Sequence, residues 1–256
     1  MKSIIGLDIG GTKIAGIVYD GKTVLRRLTV PTPKDLEGFE KSILKLLGLL
    51  SSGKTIGGIG VGMAGVISPN TGQIVYSPNM KFLLGFNPEK FFKGKKLKNV
   101  RVENDANCFA LAESLLGKGK EFKNFVGLTL GTGIGGGIVI NKKLYTGANG
   151  AAGETGHLMA DFKYDSEHYY QMARDKKDYE KLGEVVGLLL SNLINFLDIE
   201  AVILGGSVAI TKADLFLPHA LGAVRKHIIS RPIFPKIIVS TLKDSGSLGA
   251  ALLLKE

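Results

Sequence analysis

Asp105 lies in the run Glu103-Asn104-Asp105-Ala106-Asn107, where an apolar, strand-like segment gives way to a helical pattern. A carboxylate there can cap the helix, which is the routine use of Asp, Asn and Ser at such a junction. It can also take the proton from a substrate hydroxyl as that hydroxyl attacks phosphorus. Two further stretches turn the reading toward the base. Residues 4–18 read IIGLDIGGTKIAGIV, two apolar runs around Gly10-Gly11-Thr12-Lys13. Residues 126–143 repeat the pattern. Set without a gap against residues 5–22, they share Gly6/Gly127, Leu7/Leu128, Gly10/Gly131, Gly16/Gly137, Ile17/Ile138, Val18/Val139 and Lys22/Lys143. Two strands around a short glycine turn predict a β-hairpin. Its glycines let backbone N–H groups approach a bound anion, with Thr12 and Lys13 as further donors. Asp8 stands just before the first turn, where a carboxylate beside phosphates would hold Mg²⁺ directly or through water. The second turn begins Gly131-Thr132-Gly133. No G-x-x-x-x-G-K-[ST] motif occurs. Two similar hairpins suggest two similar halves with a nucleotide held in a cleft between them.

Glu154 and His157 stand three residues apart in Gly153-Glu154-Thr155-Gly156-His157. A carboxylate that accepts and an imidazole that donates suit the hydroxyls of a polyol. A metal site is the poorer reading with one His and no nearby cysteine, and a lone His is often structural. Gly205-Gly206, after the apolar run Val202-Ile203-Leu204, would let a purine lie against backbone or would simply turn the chain from strand to helix.

These residues need elements to hold them. A third strand is expected over 23–30, and Phe39, Ile43, Leu46, Leu47 and Leu50 fall at helical spacing within 35–50. Strands are expected at 56–61, 100–102, 201–204 and 236–240. Helices are expected from Asp105 to about Leu116, over the apolar series Leu182 to Leu197, and over 247–254. A further helix contains Pro218, expected to start or kink it. Strands alternating with helices predict an α/β fold with mixed sheets, whose ligands gather at the carboxyl ends of strands.

The 256 residues allow one large domain or two modest ones, and 45% hydrophobic content suffices for a sizeable core. The 35 glycines cluster at turns and follow no period, which excludes collagen-like and low-complexity classes. A single cysteine, Cys108, excludes a disulfide framework and suits a reducing, cytoplasmic setting; it reads as core. No signal-like or membrane-length apolar run is seen. The net charge of +10 could serve nucleic acid, but the lysines are scattered (Lys93, Lys95, Lys96, Lys98; Lys118, Lys120, Lys123; Lys176, Lys177), as on a soluble Lys-rich surface.

Taken together, Asp8-Ile9-Gly10-Gly11-Thr12-Lys13, Glu103-Asn104-Asp105-Ala106-Asn107, Leu130-Gly131-Thr132-Gly133-Ile134-Gly135-Gly136-Gly137, Gly153-Glu154-Thr155-Gly156-His157 and Ile203-Leu204-Gly205-Gly206 resemble, in order, the ROK family of sugar kinases within the actin-like ATPase superfamily. The resemblance implies a two-domain, ribonuclease H-like α/β fold with a cleft between a small N-terminal domain (1–104, joined by 245–256) and a larger one (105–244). It implies ATP and Mg²⁺ as cofactors. Asp8, Gly10, Gly11, Thr12, Lys13, Gly131, Thr132 and Gly133 would meet the phosphates, and Gly205 and Gly206 would flank the adenosine. A hexose, glucose above others, would sit near Gly65, Asn79, Asn104, Asp105, Glu154, His157 and Glu167, with Asp105 as the base. An N-acetylhexosamine kinase, a fructokinase or a non-catalytic sugar-binding regulator are the alternatives. A homodimer is expected, with neither nucleic acid nor membrane as partner. Many relatives carry a Cys-rich zinc segment after the His. This chain has no cysteine there, so no structural zinc is expected. Phe162, Tyr164, Tyr169 and Tyr170 would hold the shortened loop by packing.

Overall fold

The computed structural model describes residues 2–95, 99–229 and 234–255. Lys96 and Lys98 of the lysine series, and the chain ends at 1 and 256, lie outside them. By contact the chain divides into two compact units, one of residues 1–112, 146–152 and 243–256, the other of residues 113–145 and 153–242.

The first unit is built on a five-stranded sheet in the order β3-β2-β1-β4-β7, from β1 (Ser3–Ile9), β2 (Lys13–Tyr19), β3 (Val24–Pro31), β4 (Ile56–Met63) and β7 (Val100–Asn104). β1 pairs antiparallel with β2 and parallel with β4, so the sheet is mixed as expected. Helix α1 (Leu36–Ser51) starts where Asp35 accepts from the Gly38 N–H at 2.8 Å. Its Phe39, Ile43, Leu46, Leu47 and Leu50 are all buried, so the periodicity that predicts the helix also names its core face. β5 (Val66–Ile67) and β6 (Ile74–Tyr76) form a small separate ribbon, and a short helix α2 (Pro88–Gly94) follows. The closing helix α7 (Ser245–Leu252) lies against β1 and β4. A Cβ at Gly6 would stand 1.9 Å from the Ser247 carbonyl oxygen, and one at Gly60 1.6 Å from that of Ala250, so only glycine lets the helix sit this close.

The second unit repeats the plan: a five-stranded sheet β10-β9-β8-β11-β12, from β8 (Phe125–Leu130), β9 (Ile134–Ile140), β10 (Lys143–Tyr145), β11 (Ala201–Gly205) and β12 (Lys236–Val239). β8 and β9 form the second hairpin, pairing Leu130 with Ile134. Helix α3 (Asp105–Leu115) carries the chain from the first unit into the second. Helix α5 (Tyr179–Leu197) buries Leu182, Val186, Leu189, Leu190 and Leu193. It packs on α6 (Gly206–His227) through two glycines: Cβ atoms at Gly183 and Gly187 would stand 2.4 and 2.5 Å from the carbonyls of Phe216 and Ala220.

The structure departs from the sequence reading at two helices. Pro218 lies inside α6 and does not start it. The helix begins at Gly206, and proline at an interior position removes one N–H without ending the element. Helix α4 (Ser166–Lys176) is absent from the sequence reading, because its composition is polar and its apolar face short. No helix among the described residues is long and apolar enough to cross a membrane.

Candidate active site

In the first unit, β1, β4 and β7 run parallel and end level, with Ile9 opposite Met63 and Met63 opposite Asn104. The first glycine turn, the loop at Gly65 and Asp105 therefore leave adjacent strands about 4.8 Å apart. The turn is closed by the Gly10 N–H on the Lys13 carbonyl at 3.1 Å. Its outward carbonyls are taken: Thr32 Oγ1 donates to Gly10 at 2.6 Å and Lys34 Nζ to Gly11 at 2.9 Å. Asn79 packs on the same turn, its Cβ standing 2.6 Å from where a Gly11 Cβ would be.

Asp8 faces Ala15 on β2 and Gly62 on β4, and its carboxylate lies against α7, where a Gly246 Cβ would be 2.5 Å from Oδ2. Burial pushes this carboxyl up to about 6 from 3.8, against the pull of the Lys13 ammonium. A hard oxygen donor held in a site that penalises its charge fits a divalent cation that takes its remaining ligands from water and phosphate. Among the described residues no group of three or more His, Cys, Asp or Glu is placed to hold a metal by itself.

Asn104, not Asp105, does the capping work for α3. Its Oδ1 accepts from the N–H groups of Ala106 at 2.8 Å and Asn107 at 3.1 Å, and its Nδ2 reaches the Gly65 carbonyl at 3.1 Å. Asp105 Oδ1 shares the Ala106 N–H at 2.9 Å. Beneath them Glu103 Oε1 accepts from the Asn104 N–H and from Asn107 Nδ2, at 2.8 and 3.0 Å. Asn107 is buried, and its Oδ1 has no hydrogen-bond partner among the described residues. Gly65 needs its glycine: φ is +123°, and a Cβ would meet the Tyr76 carbonyl at 2.3 Å.

In the second unit, the Gly131 N–H closes the turn on the Gly133 carbonyl at 2.9 Å. Three residues of one face of α4, spaced i, i+3 and i+7, grip it. Glu167 Oε2 accepts from the Ile134 N–H at 2.7 Å, Tyr170 Oη donates to the Gly131 carbonyl at 2.9 Å, and Arg174 donates to the carbonyls of Gly131 and Thr132. Burial pushes the Tyr170 hydroxyl far above the usual tyrosine range, so it remains a donor. Glu167, expected at the sugar, thus lies on the glycine turn, and Gln171 holds its Oε1 at 2.5 Å. Gly206 has φ +84°, and its Cα lies on the backbone of Leu130, where a Cβ would stand 2.4 Å from the carbonyl oxygen. That close approach accounts for its glycine without any ligand.

Glu154 and His157 flank a single tight turn, with the His157 N–H on the Glu154 carbonyl at 3.1 Å. Burial raises the Glu154 carboxyl above its ordinary range, and the nearby His157 opposes the shift. Asp165 Oδ2 lies 2.9 Å from His157 Nδ1, while Oδ1 caps α4 through the His168 N–H at 2.9 Å. Desolvation pushes the Asp165 carboxyl up, but the hydrogen bonds from His157 and His168 prevail and hold it below its usual value. A carboxylate on Nδ1 fixes the proton there and with it the tautomer of the ring. A closed thiolate zinc site does not fit these residues. The one thiol of the chain, Cys108, is buried in α3 with its Sγ against Gly62. The shortened loop is held by Tyr164 stacked on His168 at 3.9 Å, by Tyr169, whose hydroxyl binds Asp161, and by buried Tyr170. Phe162, expected to join them, is fully exposed.

Sequence reasoning missed Thr32, Lys34, Tyr170 and Arg174 as holders of the turns. The available signal was the α4 start, an Asp followed by Ser-Glu, with Arg174 and Lys176 in its last turn.

A model of the ROK family matches residues 4–169. The ROK glucokinase of Streptomyces griseus, solved in complex with glucose and AMPPNP, superposes with a TM-score of 0.86 at 26% identity, covering 98% of each chain. The glucokinase of Streptomyces coelicolor is 39% identical over 155 residues, which is 60% of this chain and 49% of that one. The N-acetyl-D-glucosamine kinase of Citrobacter koseri is 27% identical over 301 residues, covering 97% of this chain and 98% of that one.

Proposed function

The chain belongs to the ROK family and has the α/β fold of actin-like ATPases, and from that premise we propose that it is an ATP- and Mg²⁺-dependent sugar kinase acting on glucose at O6. The observation that carries this reading is the division of labour at the start of α3. Asn104 takes the Ala106 and Asn107 N–H groups, and beside it Asp105 follows β7 at the carboxyl end of the parallel strands, level with the first glycine turn, where a carboxylate can meet a substrate hydroxyl. Asp105 then serves as the base that takes the proton from the attacking hydroxyl. Little else is asked of the protein in phosphoryl transfer beyond alignment and charge stabilisation.

The two glycine turns receive the phosphates of ATP through backbone N–H groups, with Thr12 and Lys13 as further donors. Asp8 would hold Mg²⁺, which supplies charge neutralisation on the β- and γ-phosphates. Asn104, Glu154 and His157 bind sugar hydroxyls, the last with its tautomer fixed by Asp165. The glucokinase relatives support glucose, and a relative that phosphorylates N-acetyl-D-glucosamine and aligns over nearly the whole chain favours an N-acetylhexosamine as the second reading. A coupled ADP-release assay across glucose, N-acetylglucosamine, N-acetylmannosamine, mannose and fructose tests both. The highest kcat/KM is expected for glucose. Glucose binding without ADP release on any sugar would instead identify a sugar-sensing regulator.

A further inference from the structure

The two glycine turns are held from outside in the same way, by unrelated parts of the chain. In the gap-free alignment of the hairpins, Gly10 matches Gly131 and Gly11 matches Thr132. The Gly10 carbonyl accepts from Thr32 Oγ1, and the Gly11 carbonyl from Lys34 Nζ. The Gly131 carbonyl accepts from Tyr170 Oη, and the Thr132 carbonyl from the Arg174 guanidinium, which also reaches Gly131 at 3.3 Å. Equivalent carbonyls are thus taken in each turn, each time by one hydroxyl and one cation. Thr32 and Lys34 follow β3, whereas Tyr170 and Arg174 lie on α4, so the repeat of the hairpin does not by itself explain the repeat of its clamp.

The consequence follows from the planar trans peptide, in which C=O and N–H point in opposite directions. Holding the Gly10 and Gly11 carbonyls on Thr32 and Lys34 turns the N–H groups of Gly11 and Thr12 the other way. Holding the Gly131 and Thr132 carbonyls on α4 does the same for the N–H groups of Thr132 and Gly133. Glycine peptides flip readily for lack of a Cβ, and a flipped peptide would show an anion a carbonyl oxygen in place of a donor. The guanidinium of Arg174 is spent within the protein. Its Nε and Nη2 bind Asp175 Oδ1 at 2.9 and 2.7 Å, while Nη1 holds the turn.

We propose that Thr32 with Lys34, and Tyr170 with Arg174, are matched clamps: positioning residues that keep both turns oriented as N–H donors toward the polyphosphate of the nucleotide. The proposal rests on the reading of the chain as an ATP-dependent kinase, and it assigns a role to residues that touch no substrate.

The test is calorimetric binding of MgATP and of adenosine to the wild-type chain and to Arg174→Met, Arg174→Lys, Tyr170→Phe, Lys34→Met and Thr32→Val. Loss of a hydrogen bond that orients donors to a charged group should weaken MgATP about tenfold in the Met variants and severalfold in the charge-neutral Tyr170→Phe and Thr32→Val. Adenosine affinity should not change, and Arg174→Lys should recover part of the loss. KM for ATP should rise while KM for sugar stays. Lys41→Met, which removes an exposed cation of α1 paired with Glu37, controls for bulk charge and should bind MgATP as the wild type does. The deficit of the clamp variants should persist at about 0.5 M salt, where long-range fields are screened. MgATP affinity within twofold of wild type in Arg174→Met and Tyr170→Phe overturns the proposal, as does an equal loss in Lys41→Met or a parallel loss of adenosine. A wild-type chain that binds no MgATP overturns the kinase reading as well. Wild-type binding with indifferent variants overturns the clamps alone.

Discussion

Replacing Asp8 by Asn should make the ligand-free protein more stable at neutral pH while impairing its use of Mg²⁺. Burial against β4 and α7 raises the Asp8 carboxyl from 3.8 to about 6 despite Lys13. The folded chain therefore holds this proton more tightly than the unfolded chain. Its contribution to stability is full below the unfolded value near 3.8, is lost as pH rises through about 6, and stays lost above. A shift of roughly two units at about 1.4 kcal/mol each makes the ionised carboxylate cost about 3 kcal/mol by pH 7.5. Asn has the size and hydrogen-bonding reach of the protonated acid and carries no such cost. The melting temperature of Asp8→Asn minus that of the wild type should be near zero at pH 4, open between pH 4 and 6.5, and reach roughly 5–10 °C at pH 8. The difference cancels groups that titrate alike in both proteins. Excess MgATP should narrow it, because a bound cation favours the ionised carboxylate of the wild type alone. Thermal melts from pH 4 to 8, with and without MgATP, measure all of this. A difference that is flat with pH, or a variant less stable than wild type at pH 8, would refute the account of Asp8 as a carboxylate kept charged for a cation.

Other outcomes are equally specific. Asp105→Asn should lower kcat by about 10²–10⁴-fold and leave the sugar Kd within a few fold, since Asn keeps the shape and loses the base; stopped kinetics and sugar titration separate the two. Asp165→Asn keeps an N-cap for α4 but loses the charge that fixes His157 Nδ1–H, so KM for sugar should rise several-fold with little change in melting temperature. Ser240→Ala should cost about 1–3 kcal/mol of stability in chemical denaturation, because it strips a hydrogen bond of 2.5 Å from the fully buried Glu113, leaving one carboxylate oxygen without its donor. Protein purified without an affinity tag should contain far less than one zinc per chain by elemental analysis, and chelation of zinc with Mg²⁺ in excess should leave activity intact; stoichiometric zinc would contradict the reading of the shortened loop.

The hairpins, α1 and α5 were legible because local pattern dictates them: apolar alternation about glycines, or apolar residues at helical spacing with an Asp cap. Helix α4 was not, since its identity lies in a polar sequence whose useful face looks toward a turn more than thirty residues away. For the same reason the sequence could name Glu167 but not its partner, the Ile134 N–H. It could not decide which of two adjacent residues, Asn104 or Asp105, caps α3, because both types cap equally well and only the backbone geometry chooses. Nothing in the pattern of α3 singles out Glu113, which is buried with Ser240 and the Lys118 N–H as its donors. No cysteine follows His157 in the sequence, and Asp165, eight residues on, lies at 2.9 Å from its Nδ1.

The central claim is that the chain transfers the γ-phosphoryl group of ATP to the O6 hydroxyl of a hexose, with Asp105 as the base that takes the proton of that hydroxyl. Phosphorus NMR of the product mixture reads this most directly, with glucose and with 6-deoxyglucose as acceptors and with wild type and Asp105→Asn compared. The account predicts a 6-phosphate ester formed from glucose by the wild type alone, and none from 6-deoxyglucose. A phosphate ester on 6-deoxyglucose, or an Asp105→Asn chain that makes the ester as fast as the wild type, would contradict it.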